Sequence, residues 1–224
     1  MKSKSVKTKT LLSIEDLSVT LYTDKVTVCP VNTVNYTVES GKVLAIVGES
    51  GSGKTVMNMA PLGLLPQGVT VDVEGSVQFE GKNLLSMNET EKQRIRGGEI
   101  GVIFQDPLSS LNPVRRIGPQ ITEVIELHLG LSTSAAQKQA VDMLNLVGIP
   151  NPESRMKQYP HELSGGMRQR VCIAMSIAGE PKLLIADEPT TALDVTVQAQ
   201  IVSLLKDLQK RLNMSIVLIT HDIG

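Results

Sequence analysis

A chain of 224 residues, 41% of them apolar, holds one large domain or two small ones around an ordinary buried core and is neither disordered nor fibrous. Its 22 lysines and arginines nearly balance 23 aspartates and glutamates, so a net charge of -1 exerts no global pull toward nucleic acid or an anionic membrane. Five aromatics (Tyr22, Tyr36, Phe79, Phe104 and Tyr159) and no tryptophan argue against a single-strand nucleic-acid binder, and two cysteines, Cys29 and Cys172, make no disulfide framework or metal-ligand pair and fit a reducing compartment.

Along the chain, the lysines Lys2, Lys4, Lys7 and Lys9 read as a solvated tail, because the apolar stretch after them stops at Leu12, too soon for a secretion signal. No apolar run approaches the roughly 18 residues of a membrane-spanning helix, so any work at a membrane is done from its side. Residues near 14 to 40 and 69 to 80 alternate Val, Thr and Tyr and predict antiparallel strands, with Gly41 and Gly75 as turns. Val43 to Val47, Leu183 to Ala186 and Ser215 to Ile219 predict fully buried parallel strands, each ending abruptly in polar or glycine residues. From about 107 to 178 the period is helical: Ser134 and Gln137 form a capping-box pattern, Ala140, Val141, Leu144 and Val147 share a face, and Gly148 closes that helix. A longer helix is predicted from Val195 to Leu212, capped by Asp194, stopped at Asn213, with Ile201, Leu204, Leu205 and Leu208 on one stripe. The expectation is one compound α/β domain over residues 1–224. It has a parallel-sheet core, an antiparallel β layer (about 12–47 and 69–80) and a helical insertion (about 107–178), with ligands at the carboxyl ends of the parallel strands.

The motifs fall at those ends. Gly48-Glu49-Ser50-Gly51-Ser52-Gly53-Lys54-Thr55 follows a buried strand and fits a phosphate-binding loop. Its glycines let backbone N–H groups close around phosphate oxygens, Lys54 would reach the β and γ phosphates, and Thr55 would ligate Mg²⁺. The loop alone does not choose among ATPase, GTPase and kinase. Asp187, ending a neighbouring strand, fits the Mg²⁺-holding acid of such a site, and Glu188 after it fits a general base for an attacking water. Read alone, the same two acids before Pro189 are helix-entry charges. Leu163-Ser164-Gly165-Gly166-Met167 opens a helix through Val171, Ala174, Met175 and Ala178, which makes either a second phosphate-type site or a flexible turn. Nine methionines, Met57, Met59, Met167 and Met175 among them, read as gap-fillers, and Cys172 as buried.

In this order the motifs resemble the nucleotide-binding subunit of an ATP-binding-cassette transporter over nearly the whole chain, with Leu163 to Met167 matching the family's signature. The runs Gly48 to Lys54, Gln105 to Pro113 and Pro189 to Gln198 resemble the peptide and nickel importer branch. The resemblance implies a P-loop NTPase core and the substrate and cofactor pair ATP and Mg²⁺. It makes Gln105 a sensor of Mg²⁺ and attacking water linked to the membrane subunit, Asp194 a bridge between two active sites, and His221 a contact to the γ phosphate. His128 and His161 match nothing catalytic. It also implies a second nucleotide-binding subunit whose loop faces Ser164, Gly165 and Gly166, integral membrane permease subunits and, indirectly, a solute-binding protein, with no nucleic acid. The place of work would be the cytoplasmic face of a bacterial or archaeal membrane. The rival readings are a soluble switch of the same fold acting on macromolecules, which calls for a long basic or coiled-coil insertion between Gln105 and Leu163, and a P-loop kinase, which has no use for Leu163 to Gly166. Two departures stand out: the family's adenine-stacking aromatic falls on Lys25, with Tyr22 three residues upstream, and the chain ends at Gly224 where further strands are expected, so it reads as a fragment.

Overall fold

Strands and helices follow in the order β1 (Thr10–Tyr22), β2 (Thr27–Glu39), β3 (Val43–Val47), α1 (Lys54–Met59), β4 (Thr70–Phe79), β5 (Lys82–Asn83), α2 (Glu89–Ile95), β6 (Ile100–Ile103) and α3 (Pro107–Ser110). The chain continues through α4 (Ile117–Leu129), α5 (Thr133–Leu146), α6 (Pro152–Arg155), α7 (Gly165–Ile177), β7 (Leu183–Asp187), α8 (Val195–Leu212) and β8 (Ser215–Thr220). The structure is a computed structural model describing residues 9–66, 68–191 and 193–221, without the side chains of residues 108 and 109; Lys2, Lys4, Lys7, Ala192 and Gly224 lie outside it. Among the described residues two four-stranded sheets form, one ordered β2-β1-β4-β5 and antiparallel, the other β3-β8-β7-β6 and parallel.

Alternation on the parallel strands divides the apolar interior in two. Leu183, Ile185, Val217 and Ile219 face the antiparallel sheet, packing with Leu12, Ile14, Leu17, Val77, Phe79 and Met59. Leu184, Ala186 and Ile216 face the other way, onto Ile121, Ile125, Leu144, Ile173, Ile177, Ile201 and Leu205 of the helices. Both faces of β7 are therefore covered, which is why it reads as an unbroken apolar run. Met57 and Met59 are buried in the first core, Met167 and Met175 pack against the second, and Cys172 lies in the second, where burial pushes its thiol up to about 12.

Four expectations need correction. Val43 to Val47 is not fully buried: among the described residues β3 is an edge strand with a neighbour on one side alone, and Val43 and Val47 are 47% and 44% exposed. It also belongs to the parallel sheet, so the antiparallel layer ends with β2 at Glu39. Gly75 makes no turn; it sits inside β4 opposite a register shift between Glu15 and Ser18, where φ is +103° and a Cβ would lie 2.6 Å from the Asp16 carbonyl oxygen. Ser134 and Gln137 form no capping box, because α5 starts earlier: Ser132 takes the cap position without a side-chain bond, and its carbonyl accepts the first helical bond from Ala136 N–H at 2.8 Å. Gly41 does turn, at φ +69°, and Asp194 caps α8, its Oδ1 accepting from Val197 N–H at 3.0 Å before Asn213 ends the helix at φ +50°.

Candidate active site

Register decides what meets at the carboxyl edge of the parallel sheet. Val47 pairs with Thr220, Ile219 with Asp187, and Ala186 with Ile103. The chain therefore leaves four adjacent strands at one edge, into Gly48 to Gly53 after β3, His221 after β8, Glu188 after β7 and Gln105 after β6.

The loop between β3 and α1 needs its glycines. Gly51 and Gly53 take φ of +80° and +85°, and a Cβ on Gly53 would stand 2.2 Å from the carbonyl oxygen of Pro30 on β2, so only glycine lets the loop lie on that strand. Lys54 opens α1 and turns back over the loop, its Nζ donating to the carbonyls of Gly48 at 2.8 Å and Glu49 at 2.6 Å and to Ser52 Oγ at 3.3 Å. At 8% exposure its ammonium is held among loop carbonyls, ready to exchange them for phosphate oxygens. Ser50, Gly51 and Ser52 are open to solvent.

Asp187 ends β7 at 2% exposure, and its Oδ1 has no hydrogen-bond partner among the described residues. Burial pushes this carboxyl above its ordinary range; the nearby Thr55 hydroxyl pulls it down, Glu188 pushes it up, and Lys54 pulls it down. A buried, unpartnered carboxylate oxygen beside a threonine hydroxyl fits a small hard cation that takes its other ligands from a substrate's phosphates. Among the described residues no group of three or more His, Cys, Asp or Glu side chains is arranged to hold a metal ion by itself.

Glu188 leaves the strand at φ +44°, with its N–H on the Ile219 carbonyl at 3.0 Å, and this backbone turn sends its side chain to a different partner set from Asp187. Its Oε2 accepts from Gln105 Nε2 at 3.0 Å and Thr191 Oγ1 at 3.1 Å, with His221 Nδ1 3.4 Å away. Gln105, Glu188 and His221, singled out far apart in sequence, thus converge on one carboxylate oxygen. Thr191 is the residue sequence reasoning missed; the available signal was a hydroxyl three residues after an acid in a turn, the spacing at which Ser and Thr bond back locally.

Among the described residues no hydrogen bond joins the side chain of Ser164 to the loop of Gly48 to Thr55. Ser164 caps α7 by accepting from Met167 N–H at 3.3 Å, a Cβ on Gly166 would lie 3.1 Å from Val197, and one on Gly165 would lie 3.8 Å from Leu193. The signature turn and the Asp194 end of α8 therefore share one surface. Ser164, Gly165 and Asp194 are exposed on it. Tyr22 closes β1, 43% exposed and paired with Thr27 and Thr70, while Lys25 lies in the following turn. His128 packs on Gly97 and Gly98, and His161 stacks on Tyr159 at 5.6 Å. A cavity of about 790 Å³ lies elsewhere, on the helical layer between Arg116, Thr122, Glu126 and Met156, and shares no residue with the loop.

A glycine loop between a parallel strand and a helix, with an acid at the end of a nearby strand of the same sheet, defines a P-loop NTPase fold. Residues 31–191 match the ABC transporter family, and the chain belongs to it. It is similar to the oligopeptide transport ATP-binding protein OppD of Bacillus subtilis (strain 168), 55% identical over 214 residues covering 96% of this chain and 60% of the relative. The dipeptide transport ATP-binding protein DppD of Escherichia coli (strain K12) is 51% identical over 214 residues, 96% of this chain and 65% of the relative. The chain thus spans less than two thirds of the length of these relatives. Among solved structures it resembles the ATP-binding cassette MJ0796, described as a dimer in a post-hydrolysis state bound to ADP and Pi, with a TM-score of 0.80 and 27% identity over 95% of this chain and 88% of that one.

Proposed function

We propose that the chain is the ATP-hydrolysing subunit of a membrane importer for oligopeptides, dipeptides or a related small solute. The observation that carries the reading is the meeting of Gln105, Glu188 and His221 beside Asp187 and the Lys54 loop. The first two named relatives, at 55% and 51% identity, supply the solute class. Gly48 to Gly53 would present backbone N–H groups to the phosphates of ATP, and Lys54 would exchange its loop carbonyls for β- and γ-phosphate oxygens. Asp187, Thr55 and Gln105 would hold Mg²⁺, which when bound neutralises phosphate charge. Glu188, oriented by Gln105, Thr191 and His221, would take the proton of a water attacking the γ phosphorus; the new P–O bond forms as the bond to the β–γ bridging oxygen breaks, releasing ADP and phosphate.

Partners follow from the signature turn at Ser164 to Gly166. Ser164, Gly165, Gly166 and Asp194 would face the ATP held by a second nucleotide-binding subunit, as a homodimer or heterodimer. The solute path would lie in integral membrane permease subunits, fed by a solute-binding protein. Among the described residues no helix is long and apolar enough to cross a membrane, which suits a peripheral place at its cytoplasmic face.

The test separates binding from chemistry. Glu188→Gln keeps the shape of the side chain and removes the base, so ATP affinity should stay at the natural level while phosphate release falls about 10²-fold to 10⁴-fold. Lys54→Ala should instead weaken ATP binding itself. Retained turnover by Glu188→Gln removes Glu188 from the base role.

A further inference from the structure

Strand β2 supports the phosphate loop at two places. At the first, Gly53 rests against the Pro30 carbonyl, with room for no Cβ. At the second, Tyr36 Oη donates to Asn58 Oδ1 at 2.8 Å, and Asn58 Nδ2 donates to the carbonyl oxygen of Lys54 at 2.9 Å. A phenol on the antiparallel sheet is thus two hydrogen bonds away from the backbone of the lysine whose ammonium grips the loop.

The surroundings make this link directional. Asn58 is 4% exposed, and it and Tyr36 lie among Leu12, Ile14, Met57, Leu62, Val77 and Ile185, between the sheets. A polar pair in an apolar layer is costly unless each group is bonded, and these groups are bonded in one placement of α1. Helix α1 has six residues, too few to hold an orientation by its own hydrogen bonds, so what it packs against decides where Lys54 points. Burial also lifts the Tyr36 hydroxyl well above its ordinary titration range, so it remains a donor.

We propose that Tyr36 and Asn58 are positioning residues for Lys54: they fasten α1 to strand β2, so that the antiparallel sheet sets where the phosphate-binding lysine stands. The inference rests on reading the loop as an ATP site. It assigns the pair no contact with ATP; the pair acts through the Lys54 backbone.

Equilibrium ATP binding and steady-state hydrolysis by the full chain test it, with Tyr36→Phe, Asn58→Leu, the double variant and Lys54→Ala. Tyr36→Phe removes one oxygen and keeps the ring, so it remains measurable even if Asn58→Leu fails to fold. It should raise the Kd for ATP about fivefold, the effect of one hydrogen bond, with KM rising alongside and kcat within about twofold. The double variant should bind no worse than Asn58→Leu, because without Asn58 the Tyr36 hydroxyl no longer reaches Lys54. A role in stability alone would lower the unfolding temperature and leave Kd and KM unchanged. That result, with ATP binding lost in Lys54→Ala, overturns the positioning role, as do losses that add in the double variant. If Lys54→Ala binds ATP as the natural chain does, the loop is not the ATP site and both readings fall.

Discussion

Gly51 and Gly53 sit two residues apart in the same loop, at nearly the same positive φ, yet their surroundings differ. A Cβ on Gly51 meets nothing within 4 Å, whereas one on Gly53 meets the Pro30 carbonyl at 2.2 Å. Gly51→Ala should therefore carry only the strain of a left-handed alanine, about 1–2 kcal/mol. Gly53→Ala adds a clash with backbone that cannot swing aside, for a loss of more than about 2 kcal/mol, and should weaken ATP binding in parallel. Denaturant unfolding and ATP titration of both variants check the order; equal effects would show that β2 does not back the loop. The same scale explains Asp187 and Glu188. Adjacent carboxylates acquire different tasks because one stays on the buried strand with an unpartnered oxygen, while the other turns at φ +44° into reach of three side chains.

Among the elements, β6 and α7 come close because Gly101 has no side chain. A Cβ there would lie 2.2 Å from the Ser176 carbonyl oxygen and 3.2 Å from both Leu184 and Pro181. Ser176 Oγ donates to the Val102 carbonyl at 2.8 Å, so helix and strand are joined as well as packed. Gln105 lies two residues beyond this strand, so a shift of β6 would carry with it the side chain that donates to Glu188. Gly101→Ala should destabilise the chain by about 1–3 kcal/mol through overpacking. Asp194→Ala, which removes the side-chain cap of α8, should cost about 1 kcal/mol of stability. Thermal unfolding distinguishes the two, and hydrolysis should fall below the natural level for Gly101→Ala even at temperatures where the variant is fully folded.

For the whole molecule, the two apolar layers hold the parallel sheet from both sides, and the turn at Ser164 packs toward the start of α8 through Gly165 and Gly166. If Ser164 acts on ATP bound to another copy, Ser164→Arg should bind ATP nearly normally yet fail to turn it over. Mixing Ser164→Arg with Lys54→Ala should restore activity that neither variant shows alone, because each hybrid pair has one site carrying both defects and one carrying neither. Normal turnover by Ser164→Arg alone would place that residue outside the reaction.

The loop from Gly48 to Thr55, the strand ending at Asp187, helix α8 with its Asp194 cap and the order of the motifs were legible from residues alone, because each depends on local chemistry. A buried strand needs a run of apolar residues, a phosphate loop needs glycines before a lysine, and a cap needs a side-chain acceptor at one position. The edge position of β3, the register shift of β1 opposite Gly75, the early start of α5, the hydroxyl of Thr191 on Glu188 and the Tyr36–Asn58–Lys54 link were decided by tertiary structure. Each depends on what stands across from a residue rather than beside it in the chain: whether a strand has one neighbour or two, which carbonyl faces a glycine, and which hydroxyl a turn brings to a carboxylate. Strand order and register set these meetings, and they are cooperative properties of the packed sheets that no single window of sequence contains.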